Sequence, residues 1–290
     1  MKFIIGFVTV IGMVMGGYIL HHGKMEVLWQ PTEFMIIGGA AIGSFIIGTP
    51  GPYIKDVLKS LKKLLKGPPF KKADYLELLT MLYATFKLMR SKGMLEMEQH
   101  IEHPHESALF NAYPGFAKSH HAVTFFSDYL RIMTMGVEDY YTLEELMERE
   151  IAVHRNHGKH VEHLVVTMAD GMPALGIVAA VLGVITTMGS INEPVEILGG
   201  MIGAALVGTF LGVLLSYGFF APMGRYMGEQ LEAEVKYMES IKVALLSHLK
   251  GNAPAVSVEF ARTSLDEKVK PSFLEVEEAC SSASAPGAGG

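Results

Sequence analysis

Residues 171–224 read GMPALGIVAA VLGVITTMGS INEPVEILGG MIGAALVGTF LGVLLSYGFF APMG. Gly171–Asn192 and Ile197–Gly224 contain no Asp, Glu, Lys or Arg over 22 and 28 residues, and four residues part them. About 20 apolar residues carry a helix across the hydrocarbon core, so each run is long enough to span. A lone segment in lipid must satisfy its own backbone polar groups, which a helix does and an unpaired strand does not. The stretch therefore reads as a transmembrane helical hairpin. Upstream, Phe3–Leu20 and Phe34–Ile54, 18 and 21 residues without a charge, form a second such pair.

The fold class expected is an all-α integral membrane protein with four transmembrane helices and a large helical cytoplasmic insert between spans two and three. Composition agrees: half of the 290 residues are hydrophobic, 19% are charged and the mean hydropathy is +0.30. A net charge of -6 argues against nucleic-acid binding. One cysteine, Cys280, excludes an internal disulfide framework or a Cys-based zinc cluster. The apolar run after Lys2 is longer than a signal-peptide core, and no A-x-A-like cleavage site follows, so it is expected to stay as span one.

Basic residues set the orientation. Lys55, Lys59, Lys62, Lys63, Lys66, Lys71 and Lys72 follow span two, whereas the turn between spans three and four carries only Glu193 and Glu196. The positive-inside rule places the insert and both termini in the cytoplasm. The expected organisation is a first hairpin over 1–54, a cytoplasmic helical domain over 55–170, a second hairpin over 171–224, a helical extension and tail over 225–279, and a disordered Ser/Ala/Gly/Pro end over 280–290. Asp74-x-x-Glu77 and Thr142-x-x-Glu145 read as capping boxes opening helices. The helix from Leu143 is expected to run into span three with Pro173 as a kink. Span four is expected to continue past Pro222 to a stop at Gly251-Asn252.

The spans are rich in small residues: Gly12 and Gly16, Gly39 and Gly43, then Gly200, Ala204, Gly208, Gly212 and Ser216 at intervals of four. Such spacing lets helix backbones approach closely in lipid. Ordinary packing within one chain could explain spans one and two; the longer ladder of span four points to more. No charge lies inside the four runs, and the polar candidates there are hydroxyls, Thr186, Thr187, Thr209 and Ser216. If this chain moves ions, a partner must supply the charged carrier. His154, His157, His160 and His163 fan over half a helix and read as a solvated face, not one metal site. Arg90, Lys92, Glu96 and Glu98 read from charge alone as a solvated cluster. No nucleophile–base arrangement or phosphate loop occurs in credible context, so no enzyme activity, cofactor or metal is expected.

These features together resemble the flagellar motor stator A subunits, the MotA branch of the MotA/TolQ/ExbB family. The segments that carry the resemblance are Leu175–Gly183, Val207–Gly212, Tyr217–Pro222 and Val258–Arg262, and it covers nearly the whole chain. It implies a stator subunit of the bacterial inner membrane that joins a MotB-type, peptidoglycan-anchored partner, five A subunits around two B subunits, in a channel that turns proton flow into torque. The partner's Asp would be the charged carrier. By the same resemblance Arg90 and Glu98 engage a rotor switch-complex protein of the FliG type, and Pro173 and Pro222 couple ion passage to motion. Ala180 and Thr209 line the ion pathway. Ala180 stands where sodium-driven relatives have Thr, which implies a proton motor, since a hard cation needs several oxygen ligands. The alternative is a TolQ/ExbB-like energiser of envelope processes, whose subunits usually have three spans.

Overall fold

The computed structural model describes residues 2–283, and every ordered element in them is a helix or a turn. In chain order the α-helices are α1 (Lys2–Leu20), α2 (Met25–Leu28), α3 (Pro31–Gly48), α4 (Gly51–Leu64), α5 (Lys72–Lys92), α6 (Glu98–Glu102), α7 (Ala108–Asn111), α8 (Pro114–Ala117), α9 (His120–Thr134), α10 (Tyr140–Met188), α11 (Val195–Leu215), α12 (Ala221–Leu249), α13 (Pro254–Thr263) and α14 (Phe273–Ser282). Four helical segments are long and apolar enough to cross a membrane: Phe3–Leu20, Met25–Gly48, one within Tyr140–Met188 and one within Val195–Leu249. The chain forms two compact units, residues 1–67 with 157–231 and residues 68–156 with 232–290, so the boundary falls inside α10 and α12.

The first unit holds the candidate spans. One apolar core joins Ile37 of α3, Ala179 of α10, and Val207 and Leu211 of α11, with Val27 and Leu28 packed against it. A second joins Val57 and Leu64 of α4, Val161 and Val165 of α10, and Met227 of α12. Pro50 and Pro52 break the path from α3 into α4, since proline cannot donate into a continuing helix. Trp29 and Phe34 lie tilted against each other at the opposite end of α3, rings 6.3 Å apart.

The small residues divide differently from the sequence expectation. Gly176, Gly208 and Gly212 sit where α10 and α11 cross within the chain. A methyl on Gly176 would stand 2.8 Å from the Gly208 carbonyl oxygen and 3.0 Å from Gly212 Cα. By contrast Gly12, Gly16, Gly39 and Gly43 meet nothing within 4 Å. Span four's ladder therefore serves packing inside the chain at these two rungs, whereas its Gly200, like the glycines of spans one and two, is open.

α10 runs unbroken through Pro173, while α11 and α12 are joined by a π-helical turn, Ser216–Phe220, just before Pro222. A π-turn shifts the hydrogen-bond register by one residue, which accommodates the N–H that proline lacks. The second long helix ends at Leu249, and Gly251 takes a left-handed φ of 85° that closes it.

In the second unit Phe110, Phe116 and Phe126 form an edge-to-face aromatic core, and Tyr237 stacks on Phe70 with centroids 3.9 Å apart. The lower parts of α10 and α12 are tied by Arg155 to Glu239 at 2.8 Å and Lys242 to Glu148 at 3.1 Å. Both expected capping boxes are corrected. α5 starts one turn earlier, and Asp74, inside its first turn, accepts from the Lys71 N–H at 2.7 Å. Glu77 instead accepts from the Gly115 and Phe116 backbones. Asp139 caps α10, taking the Thr142 N–H and hydroxyl at 2.8 and 2.7 Å. At α5 Asp74 thus serves from the third helical position with Lys71 as the N-cap, and at α10 Asp139, three residues before the expected cap, takes the open amide. The disordered end is also corrected in part: residues 280–282 are helical in α14 and Cys280 is buried, since the helix lays that face on the unit's core. Its thiol is free, and burial pushes it up to about 11. The rest of that end lies outside the described residues.

Candidate functional site

The expected ion-pathway residues meet at the α10–α11 crossing. A Cβ on Gly208 would lie 3.0 Å from the Ala180 backbone nitrogen, and one on Gly176 would lie 3.3 Å from Thr209 Cα. Gly176, Gly208 and Gly212 thus bring Ala180 and Thr209 to one place with almost no side-chain bulk between the two backbones. Thr186 and Thr187 do not join it; their hydroxyls bond back to the Leu182 and Gly183 carbonyls at 3.0 and 2.9 Å.

The same crossing holds a residue that the sequence reading placed outside the spans. Charge counting began span two at Phe34, but Pro31 opens α3 and puts Glu33 in its first turn. Proline is favoured at the first helical position and a carboxylate in the first turn, and that pairing was the signal available in the sequence. Glu33 is 7% exposed. Its Oε2 is buried without a hydrogen-bond partner among the described residues, and a Cβ on Gly208 would stand 2.6 Å from it. The expectation that no carboxylate lies inside a span is therefore corrected.

Pro173 and Pro222 are both half-buried in the first unit. Ser216, at the start of the π-turn before Pro222, is fully buried with its hydroxyl unpartnered. Pro173 lies three residues before Gly176, so both proline-modified stretches adjoin the Ala180–Thr209 crossing along their helices.

Arg90 and Glu98 occupy the second unit, exposed on either side of Gly93. Gly93 takes a φ of 82°, which turns the chain from α5 into the 3-10 turn Met94–Met97. A Lys92–Glu96 contact at 3.4 Å staples that turn. Arg90 borders a cleft of about 390 Å³ with Met94, Met133, Glu138 and His248. His248 stacks face to face on Phe86, centroids 4.4 Å apart; burial first, and the Arg90 charge second, hold its imidazole below the ordinary value.

The histidine run does not converge. His154 approaches Glu234 at 3.6 Å and His157 approaches Asp56 at 3.3 Å, while His163 contacts Thr167 at 3.4 Å. Among the described residues no group of three His, Cys, Asp or Glu could hold a metal ion. His154 is largely buried, so the run is a solvated face only in part.

Four candidate spans, a crossing lined by Gly176, Gly208 and Gly212, and a second compact unit define a helical membrane protein. Residues 4–93 match the motility protein A N-terminal family and residues 118–240 match the MotA/TolQ/ExbB proton channel family. Motility protein A of Escherichia coli is 41% identical over 96% of this chain and 94% of its own length. Chemotaxis protein LafT of Vibrio parahaemolyticus is 32% identical over 96% and 98%. Among solved structures, C. jejuni MotAB superposes with a TM-score of 0.76 at 20% identity, covering 92% of this chain and 96% of that one. The flagellar MotAB stator complex of Bacillus subtilis gives 0.74 at 23% identity, covering 93% and 98%. The chain belongs to the MotA/TolQ/ExbB proton channel family, in its motility protein A branch.

Proposed function

We propose that the chain is the A subunit of a flagellar stator that, with a MotB-type partner, conducts protons and turns their flow into torque on the rotor. The similarity to motility protein A along 96% of the chain carries this reading. In the assembly five copies surround two wall-anchored partner subunits in the inner membrane, with both termini cytoplasmic. The partner's Asp is the proton carrier, and it faces the Ala180–Thr209 crossing. Protonation removes the cost of holding a bare carboxylate in a low-dielectric passage and changes how tightly helices pack around it. Pro173 and the π-turn before Pro222 are the points where the backbone ladder is already interrupted, so they take up the resulting bend. Arg90 and Glu98 then push on the FliG-type rotor protein. The envelope-energiser alternative is less well supported, because residues 4–93 match a family specific to motility protein A and the chain has four candidate spans.

The test is complementation of a stator-less strain with this chain and its partner. Swimming that stops with a protonophore and ignores external sodium is the expected result. Swimming that follows sodium would overturn the proton assignment, and no swimming together with no proton uptake by the reconstituted complex would overturn the stator reading.

A further inference from the structure

We propose that Glu33 is a proton-binding group of the ion pathway contributed by this chain itself, standing beside the crossing where the partner's carboxylate works. The proposal rests on the stator reading. Three observations carry it. Glu33 is more than nine-tenths buried in the unit that holds the spans, and its Oε2 has no hydrogen-bond partner among the described residues. That oxygen occupies the space left by the absent side chain of Gly208; a Cβ there would stand 2.6 Å away. The same Gly208 position lies 3.0 Å from the Ala180 nitrogen, and Thr209 follows it in sequence. The carboxylate is thus seated at the helix crossing where the expected pathway residues meet.

A helix-capping role accounts for a carboxylate in the first turn of α3. It does not account for an oxygen turned away from water into a glycine notch with nothing to bond. Buried polar groups are nearly always partnered, and the exceptions call for an explanation. A group that takes up and passes on a proton needs that oxygen unoccupied in part of its cycle. The step balances simply. The Glu33 carboxylate accepts a proton from hydronium on the outer side, leaving water. The carboxylic acid then gives the proton to the partner's carboxylate, directly or through water, and returns to its starting form. No other reactant is consumed.

The complex of the full chain with its partner, reconstituted in liposomes under a potassium diffusion potential, tests this with an internal pH dye. Glu33→Gln keeps the shape but cannot carry the proton. We expect it to lower proton uptake at least fivefold and to flatten the dependence on external pH. Glu33→Asp should retain most of the uptake with a displaced pH profile. Glu26→Gln, at an exposed acid of the adjoining turn, should match the unaltered complex. Uptake and pH profile unchanged in Glu33→Gln would overturn the proposal while leaving the stator reading intact. Absence of uptake in the unaltered complex would instead overturn the stator reading. If Glu33→Gln fails to assemble, infrared pH-difference spectra of the unaltered and Glu33→Asp complexes read the same group. A carboxyl band displaced by the Asp substitution supports the proposal, and an identical band overturns it.

Discussion

His248 shows how one half-buried ring makes the second unit sensitive to acid. Its folded value lies below the ordinary 6.5, chiefly through burial, so the fold favours the neutral ring. The unfolded chain binds that proton more readily. Stability from this group is therefore complete above about pH 6.5 and falls as the pH drops below it. His100, also lowered chiefly by burial, has the same sign. We expect the melting midpoint of the second unit to fall between pH 7.5 and 5.5. His248→Phe should flatten that fall by a few degrees, since ~1 kcal/mol moves a domain of this size by about 2–4 °C. The substitution keeps the stack on Phe86 and removes the ring that titrates. An unchanged pH slope in differential scanning fluorimetry would refute the assignment. Arg90 and Glu98 differ in kind, because both are exposed. Arg90→Glu and Glu98→Lys should leave the melting midpoint and membrane assembly unaltered while reducing torque, read from tethered-cell rotation. Full rotation in both variants would refute the rotor role.

The helix crossing is where sequence and packing meet most tightly. A methyl on Gly176 would meet a carbonyl oxygen and a Cα rather than a flexible side-chain end, so only separation of α10 and α11 could accommodate it. Overpacking of this kind costs roughly 1–3 kcal/mol. Gly176→Ala and Gly212→Ala should lower thermal stability in detergent and abolish proton uptake together. Gly39→Ala, with open space at its Cβ, should leave the chain's own stability unchanged. Equal melting of all three variants would show that the crossing is looser than described. The long helices themselves were legible from sequence: charge-free runs, Pro173 inside one and Gly251 closing another all appear where expected. Their starts were not. Asp139 caps α10 because its carboxylate outcompetes the Thr142 hydroxyl, and Asp74 belongs to a box that begins at Lys71, since pattern ranks neither competing acceptors nor the register of the first turn.

For the molecule as a whole, the open glycines of spans one and two are the counterpart of the filled crossing. A Cβ on Gly12, Gly16, Gly39 or Gly43 would meet nothing within 4 Å among the described residues, and α1 carries exposed Ile4, Phe7, Val8 and Met13. Close approach at such positions in lipid requires another helix from outside the chain. Gly43→Leu should therefore leave the melting of the solubilised chain unchanged while lowering the yield of the complex with its partner. Undiminished co-purification of that variant would mean these faces meet lipid alone.

Membrane residence, helix class and family were all decided by the amino-acid sequence alone. Hydrophobic run length, basic-residue asymmetry and local motifs are one-dimensional properties of the chain and need no contacts to be read. What only the tertiary structure decided is which small residues touch and what they enclose. Gly208 and Gly200 look alike in sequence, yet one lies against Glu33, Ala179 and Ala180 and the other against nothing. The difference arises because the α10–α11 crossing and the first turn of α3 converge from positions about 150 residues apart, and burial of Glu33 is a property of that convergence rather than of any local pattern.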